Sequence, residues 1–216
     1  MKTQRLGGAP GGFMALRRTA GRNDWLYALV RIAGKIWFSK SFRIEVEGRE
    51  NLDLNSPVVL LPKHQRWEDI PLLGIAAPRP LYYVAKYELF TRWPDRWFLR
   101  SLGGIPLNRG EPIKSRESLR EIVGRLGQGQ WIALFPEGTY YLDSMGPGNV
   151  GIFKLILSRI SPPLVPVGIR YMPFGHQTLV RIRFGRAFYN KEKRSVKITL
   201  EKVMCEIARL SGFSFK

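Results

Sequence analysis

The chain has very little of the residues on which many site chemistries depend. Its only cysteine is Cys205, so no intramolecular disulfide framework exists. A lone cysteine fits a reducing compartment, with Cys205 expected as a small core filler in the last helix. Histidine occurs twice, at His64 and His176, far apart. Together with one cysteine these do not make the ligand clusters of a zinc site. No G-x-S-x-G segment is present, which removes the serine-hydrolase elbow. Long apolar runs are also missing. The best candidate, Trp25 to Phe38, includes Arg31 and Lys35 and falls short of the roughly 20 residues that a bilayer span needs. Lys2, Arg5, Arg17, Arg18 and Arg22 resemble a basic leader, but Gly and Pro at 7–12 interrupt any early apolar stretch, so secretion is not expected. Internal repeats and low-complexity tracts are absent.

Acidic residues are scarce too: 17 Asp and Glu against 35 Lys and Arg leave a formal charge of +18. Such a surface attracts polyanions, whether anionic lipid headgroups, nucleic acid or acidic carrier proteins, and charge alone does not choose among them. With 44% apolar residues over 216 positions, the chain can bury a core of single-domain size. Two parts are expected: residues 1–41, a loosely ordered basic arm followed by an amphipathic helix, and residues 42–216, an α/β domain.

Asn23 is a suitable N-cap for that helix, since Trp25, Leu29, Ile32 and Ile36 recur at helical spacing. Asp24, Arg31 and Lys35 form its narrow polar stripe. A wide apolar face with tryptophan at both ends suits a helix lying in a membrane interface. Packing of the same face on the domain core is the alternative. Strands are expected at Phe42 to Val46, Pro57 to Leu61, Leu81 to Ala85, Gly103 to Leu107, Trp131 to Phe135, Val165 to Tyr171 and Leu179 to Phe184. Helical patterns occupy 93–99, 113–126, 152–157 and 195–210. This alternation predicts a mostly parallel or mixed central sheet flanked by helices, with the last two strands placed to pair antiparallel. Sites in such sheets gather where strands end and helices begin.

Three segments at predicted strand ends carry candidate chemistry. Asp69 follows His64 by five residues, and across a tight turn into a helix its carboxylate can fix one imidazole nitrogen and leave the other as a base. Two cations, Lys63 and Arg66, flank the pair. A surface histidine at a helix start is the competing reading. Gly103 to Gly110 delivers Arg109 at a strand end, where a guanidinium fork suits phosphate; a solvated loop arginine is the alternative. Phe135-Pro136-Glu137-Gly138-Thr139 combines a carboxylate able to orient a partner with a glycine that permits close backbone approach. His176 lies in a turn-like segment and is expected in solvent.

Taken together these segments resemble the glycerolipid acyltransferase family that includes 1-acylglycerol-3-phosphate acyltransferases. His64 and Asp69 match its H-x4-D motif, Gly104 to Arg109 its second motif, Phe135 to Thr139 its F-P-E-G-T motif and Val165-Pro166-Val167 its fourth. Val46-Glu47-Gly48-Arg49-Glu50-Asn51 and Lys86 are similar to its flanking pattern, and the match runs from about residue 42 to 185. The resemblance implies an α/β domain on the cytoplasmic face of a membrane, peripheral or monotopic. It implies His64 and Asp69 as catalytic residues, with Arg109, Glu137, Gly138, Thr139, Lys86 and Arg66 around the substrate. No cofactor or metal is implied. The donor would be acyl-CoA or acyl carrier protein, the lipid partners anionic, and the product phosphatidic acid from lysophosphatidic acid.

The chain departs from the family pattern at Lys63 and Arg66, where Asn and Ser are usual. Tyr140 replaces an Arg after F-P-E-G-T, and Gly148-Asn149-Val150 replaces a basic pair. These changes make a different, non-phosphorylated lipid acceptor the first alternative. An alternative of another class, a nucleic-acid-binding module, draws on Arg181, Arg183, Arg186, Lys191, Lys193, Arg194 and Lys197, but no recognised module accompanies them.

Overall fold

Four short strands whose side chains are buried on both faces set the architecture. β2 (Val59–Pro62) exposes none of its residues, and β3 (Leu81–Lys86), β4 (Gly104–Leu107) and β5 (Trp131–Ala133) are nearly as closed. Such strands require helices on both sides, the usual condition of a parallel sheet. A computed structural model describes residues 21–108, 112–151, 153, 157, 161–189 and 195–215. Residues 1–20 of the expected basic arm, Arg109, the cations Lys191, Lys193 and Arg194, and most of the expected 152–157 helix lie outside the described residues.

With β1 (Phe42–Glu47), β6 (Leu164–Phe174) and β7 (Gln177–Phe184), the strands form a seven-stranded sheet in the order β1-β7-β6-β2-β5-β3-β4. From β6 to β4 all neighbours are parallel. β7 returns antiparallel to β6 through a turn at Gly175, whose φ of 57° suits glycine, and β1 runs parallel to β7. The sheet is therefore mixed, with the antiparallel pair where the sequence places it.

The pleat divides the core into two layers. Leu60, Val165, Val167 and Tyr83 pack with Tyr27 and Phe38 of α1 (Asp24–Phe38) and Leu72 and Leu73 of α2 (Asp69–Ala76). Val59, Leu61 and Ile132 face the other way, onto Ile122 and Leu126 of α4 (Pro112–Gly127) and Val203, Met204 and Ile207 of α5 (Val196–Ser211). Each of these fully buried side chains contributes roughly 1.5–3 kcal/mol of transfer free energy. α3 (Trp93–Ser101) differs, because none of its residues is buried.

Two expectations change at the helices. Cys205 is exposed, because it falls on the outward side of α5 between the inward pairs Val203–Met204 and Ile207–Ala208. In α1 the expected polar stripe does not simply face water. Arg31 turns inward with Tyr27 and Phe38, and its Nη2 donates to the carbonyls of Ile75 and Ala77 at 3.1 and 2.8 Å, capping the end of α2. The apolar series Trp25, Leu29, Ile32 and Ile36 is exposed instead. Asn23 caps the helix as expected, its Oδ1 accepting from Leu26 N at 3.1 Å.

β6 outlasts β2. Val167 pairs with Pro62, and the residues beyond it pair with β7 alone. This overhang carries Tyr171 past the end of β2, to the edge where β2, β5, β3 and β4 all terminate. Among the described residues no helix is long and apolar enough to cross a membrane.

Candidate active site

At the end of β2 the chain leaves the sheet through Lys63 and His64 and enters α2 at Asp69. The turn is held by Asp69 itself. Its Oδ2 accepts the backbone N–H groups of Gln65 at 2.6 Å and Arg66 at 2.8 Å, as a carboxylate at a helix start is suited to do. The same oxygen lies 3.1 Å from His64 Nδ1. Oδ1 accepts the hydroxyl of Tyr171 at 2.6 Å. Asp69 is wholly buried, and both its oxygens act as acceptors, so the proton of a neutral imidazole belongs on Nδ1 and Nε2 is left as the basic nitrogen. The five-residue spacing thus becomes a dyad whose carboxylate is fixed by three further donors.

The His64 ring lies between two aromatic rings, Phe135 at a centroid distance of 3.9 Å and Tyr140 edge-on at 4.4 Å. Phe135 comes from the loop after β5, which neighbours β2 in the sheet, so the F-P-E-G-T segment reaches the histidine by strand adjacency. Tyr140 is half exposed, and its phenol is raised above its ordinary value by burial first and by Asp69 and Glu68 next.

Glu137, expected around the substrate, is turned into the protein. Its side chain is fully buried, and both oxygens are 3.0 Å from Lys63 Nζ. Oε2 also accepts His64 N at 2.8 Å and Oε1 accepts Gly146 N at 2.7 Å. Lys63 Nζ further donates to the carbonyls of His64 and Tyr141, at 3.1 and 2.8 Å. Lys63 is therefore an internal cation facing a carboxylate, not a free charge beside the imidazole. Burial lowers its pKa, and Glu137 acts in the opposite direction. The pair ties the β2 loop to the β5 loop next to His64.

Gly138 has a φ of 70°, which allows the chain to reverse immediately after Glu137, and Thr139 beyond it is exposed. Arg66 is exposed too, its guanidinium 4.6 Å from the Tyr171 ring centroid and next to the dyad. Lys86 is exposed at the end of β3, two strands from β2 and so about 10 Å across the sheet edge. His176 is exposed in the β6–β7 turn, as expected. Arg109 lies outside the described residues, although β4 ends two positions before it at Leu107.

Sequence reasoning missed Tyr171, the Lys63–Glu137 pair and Gln65, whose Nε2 donates to the Ile169 carbonyl at 2.8 Å. Only Lys63 carried a sequence signal, a lysine where its neighbours predict a buried strand end.

Comparison with known proteins places the chain in a family. A family model described as Acyltransferase matches residues 43–170. A chloroplastic 1-acyl-sn-glycerol-3-phosphate acyltransferase of Arabidopsis thaliana is 27% identical over 188 residues, covering 81% of this chain and 51% of that protein. Its counterpart from Brassica napus is 26% identical, with 81% and 52% covered. The chain thus spans about half the length of these relatives. The crystal structure of the 1-acyl-sn-glycerophosphate acyltransferase PlsC from Thermotoga maritima shares the fold, with a TM-score of 0.67 at 24% identity over 90% of this chain and 83% of that one. The matched segment begins in β1 and ends in the β6 overhang beside Tyr171, enclosing the whole His64 turn and the Glu137 loop, and the chain belongs to the acyltransferase family.

Proposed function

We propose that the chain transfers a fatty acyl group from a thioester, carried on coenzyme A or acyl carrier protein, to the hydroxyl of a lysophospholipid, with lysophosphatidic acid giving phosphatidic acid as the first choice. The observation that carries this reading is the 3.1 Å contact of His64 Nδ1 with a wholly buried Asp69. Nε2 takes the proton of the acceptor hydroxyl as its oxygen attacks the thioester carbonyl. The tetrahedral intermediate expels the thiolate, which recovers that proton from His64. No acyl-enzyme is needed. Family membership and the names of the plant relatives support the acceptor class.

The location proposed is a membrane surface on its cytoplasmic side, without a bilayer span among the described residues. Both acceptor and product are amphiphiles, and a surface-bound enzyme need not extract them. The exposed apolar face of α1 supports this placement. A nucleic-acid partner is disfavoured by Arg181 and Arg183, which pair with Glu45 and Glu47 at 3.1 and 2.7 Å in place of presenting free cations.

A second acceptor reading rests on Tyr140. It stands edge-on to His64 where a cation is usual, which favours an acceptor with less negative charge. A lyso-ornithine lipid O-acyltransferase of Pseudomonas aeruginosa, 32% identical over 99 residues, covering 45% of this chain and 36% of that protein, is a relative of that kind by name. The test is incubation of the purified protein with labelled acyl-CoA or acyl carrier protein and a panel of lysolipids. Preferred ester formation on lysophosphatidic acid supports the first reading and preference for a neutral or zwitterionic lysolipid the second. Absence of ester on every acceptor sinks both.

A further inference from the structure

Helix α3 has an unusual position: it belongs to the domain by sequence, yet it buries none of its nine residues. Trp93 is 68% exposed and Trp97 56% exposed, and the two share one face at i and i+4. Phe98 and, one turn before the helix, Leu89 are exposed as well. A helix of nine residues has little stability of its own in water and normally gains it by turning its large apolar residues toward the core. Here they point outward, flanked by exposed Arg92 and Arg96.

The end of α3 meets the start of α1. Asn23 N, at the cap of α1, donates to the carbonyl of Ser101, the last residue of α3, at 2.9 Å. α1 then extends about 22 Å along the domain and ends at Phe38, whose ring lies 6.1 Å from that of Trp67. Trp67 is exposed and three residues from His64. Exposed aromatic side chains are thus present on α3, at Trp25 and Trp37 of α1, and at Trp67 beside the His64 turn. Tryptophan beside arginine is the composition of a membrane interface.

We propose that α3 is a second membrane contact, in which Trp93, Trp97 and Phe98 enter the headgroup region of an anionic bilayer while Arg92 and Arg96 meet its lipid charges. The choice of a bilayer as occupant follows from the aromatic and cationic side chains sharing one short helix, and from the junction of α3 with α1, whose own apolar series is exposed. Two contacts joined at Asn23 and Ser101 fix the orientation of the domain on the surface, where one helix alone leaves it free to rotate about the helix axis. Trp67 would then hold the His64 turn at the level of the headgroups. The inference rests on the proposed lipid-acceptor reading for its biological sense, but binding to lipid is measured without any substrate.

The experiment is flotation of the full chain with phosphatidylcholine vesicles, with and without phosphatidylglycerol, for wild type, Trp93→Ala/Trp97→Ala and Arg92→Gln/Arg96→Gln. Removing the two tryptophans should lower partitioning at least about tenfold on both vesicle types. Removing the two arginines should lower it about tenfold on anionic vesicles and little on neutral ones. Vesicles containing brominated lipid should quench wild-type tryptophan fluorescence more than that of Trp93→Ala/Trp97→Ala. Wild-type partitioning by both folded variants overturns the proposal, and is the outcome expected if a protein covers this face. Equal loss of turnover on a water-soluble short-chain acceptor also overturns it, by showing that α3 serves the catalytic centre. A chain that binds through Trp93 and Trp97 yet acylates nothing would remove the acyl-transfer reading and leave the surface standing.

Discussion

The hydroxyl of Tyr171 donates to Oδ1 of Asp69 at 2.6 Å, from a strand one hundred residues further along the chain. The hydrogen bond holds the carboxylate plane so that Oδ2 remains aligned with His64 Nδ1, and Tyr171 is thereby a positioning residue for the dyad. His64→Ala should abolish acyl transfer, and Asp69→Asn should lower it by at least about 100-fold through loss of orientation and basicity. Tyr171→Phe should lower kcat about tenfold with little change in KM, since it removes a bond to Asp69 and no contact with substrate. A Tyr171→Phe protein with a raised KM and an unchanged kcat would show that the phenol acts on the acceptor instead.

The Lys63–Glu137 pair gives a prediction about stability. Glu137→Leu leaves the Lys63 ammonium buried with only two carbonyls for partners, and should cost about 3–5 kcal/mol. The double variant Lys63→Met/Glu137→Leu removes the buried charge and should cost distinctly less, with the remaining loss due to the unpaired backbone donors of His64 and Gly146. Urea denaturation of wild type, both single variants and the double variant completes the cycle. Additive costs would mean that the two side chains do not interact.

How much of this was legible in the sequence depends on the range of each interaction. The strands and helices of the domain follow from local periodicity, and the observed bounds differ from it by a few residues. β5 stops at Ala133, earlier than expected: Leu134 N still donates to the Leu60 carbonyl of β2 at 2.9 Å, and the chain then departs toward the turn at Glu137. His64 and Asp69 share one turn, so their pairing could be argued from spacing. Tyr171 could not, because its role comes from a strand overhang that exists only once β6 pairs with β7. Glu137 was legible as a site residue but not in its task, since a buried carboxylate and a solvent-facing one read alike in F-P-E-G-T. The orientation of α1 was obscured by Arg31, a charged residue that faces the protein because the end of α2 offers two carbonyls there.

That orientation changes how membrane attachment by α1 should be tested. Deleting the helix would expose the core around Tyr27 and Phe38, so loss of function would not separate attachment from folding. Trp25→Ser/Ile36→Ser alters only exposed positions, and should release the protein from anionic vesicles by about tenfold or more while thermal unfolding stays within a few degrees of wild type. Phe38→Ala should do the reverse, lowering stability by about 3–5 kcal/mol. Vesicle flotation and circular dichroism distinguish these outcomes, and full retention of binding by Trp25→Ser/Ile36→Ser would exclude α1 as the anchor.

Alkaline stability follows from two phenols. Tyr83 and Tyr171 are held above their ordinary value of 10.0 chiefly by burial, with Tyr27 adding to the first and Asp69 to the second. In the unfolded chain they ionise near pH 10, whereas the folded chain keeps both protons. The folded state then binds more protons, so this stability is complete below about pH 10 and falls as pH rises further, by about 1.4 kcal/mol per pH unit for each group. Lys63 has the opposite sign. Its pKa is lowered from 10.5, so the folded state releases that proton first and gains stability up to about that pH. The lysine gain ends at about pH 10.5 while the tyrosine loss continues above it, so the net loss is an effect of pH above about 10. Urea titrations between about pH 8 and about pH 11 should show it, with a shallower slope in Tyr171→Phe. A Tyr171→Phe slope equal to that of wild type would mean that the phenol ionises in the folded protein as it does in the unfolded one.

The proposed choice of acceptor turns on Tyr140. Its ring lies 4.4 Å from that of His64 and is half exposed, so in the proposed mechanism an acceptor approaching His64 passes beside it. A charge-assisted contact with a phosphate is worth about 2–3 kcal/mol, so Tyr140→Arg should raise kcat/KM for lysophosphatidic acid by about 30-fold to 150-fold. The same substitution removes the edge-on ring, and should leave a neutral lysolipid unchanged or somewhat poorer. The ratio of kcat/KM values for the two acceptors is therefore the informative quantity, because any general disturbance of His64 cancels in it. Arg109→Ala provides the complementary measurement, and should impair the phosphorylated acceptor far more than the neutral one if that arginine binds phosphate. If Tyr140→Arg leaves the ratio unchanged and Arg109→Ala lowers both acceptors equally, neither position reads the headgroup. Arg66, exposed over the Tyr171 ring beside the dyad, is then the next cation to substitute.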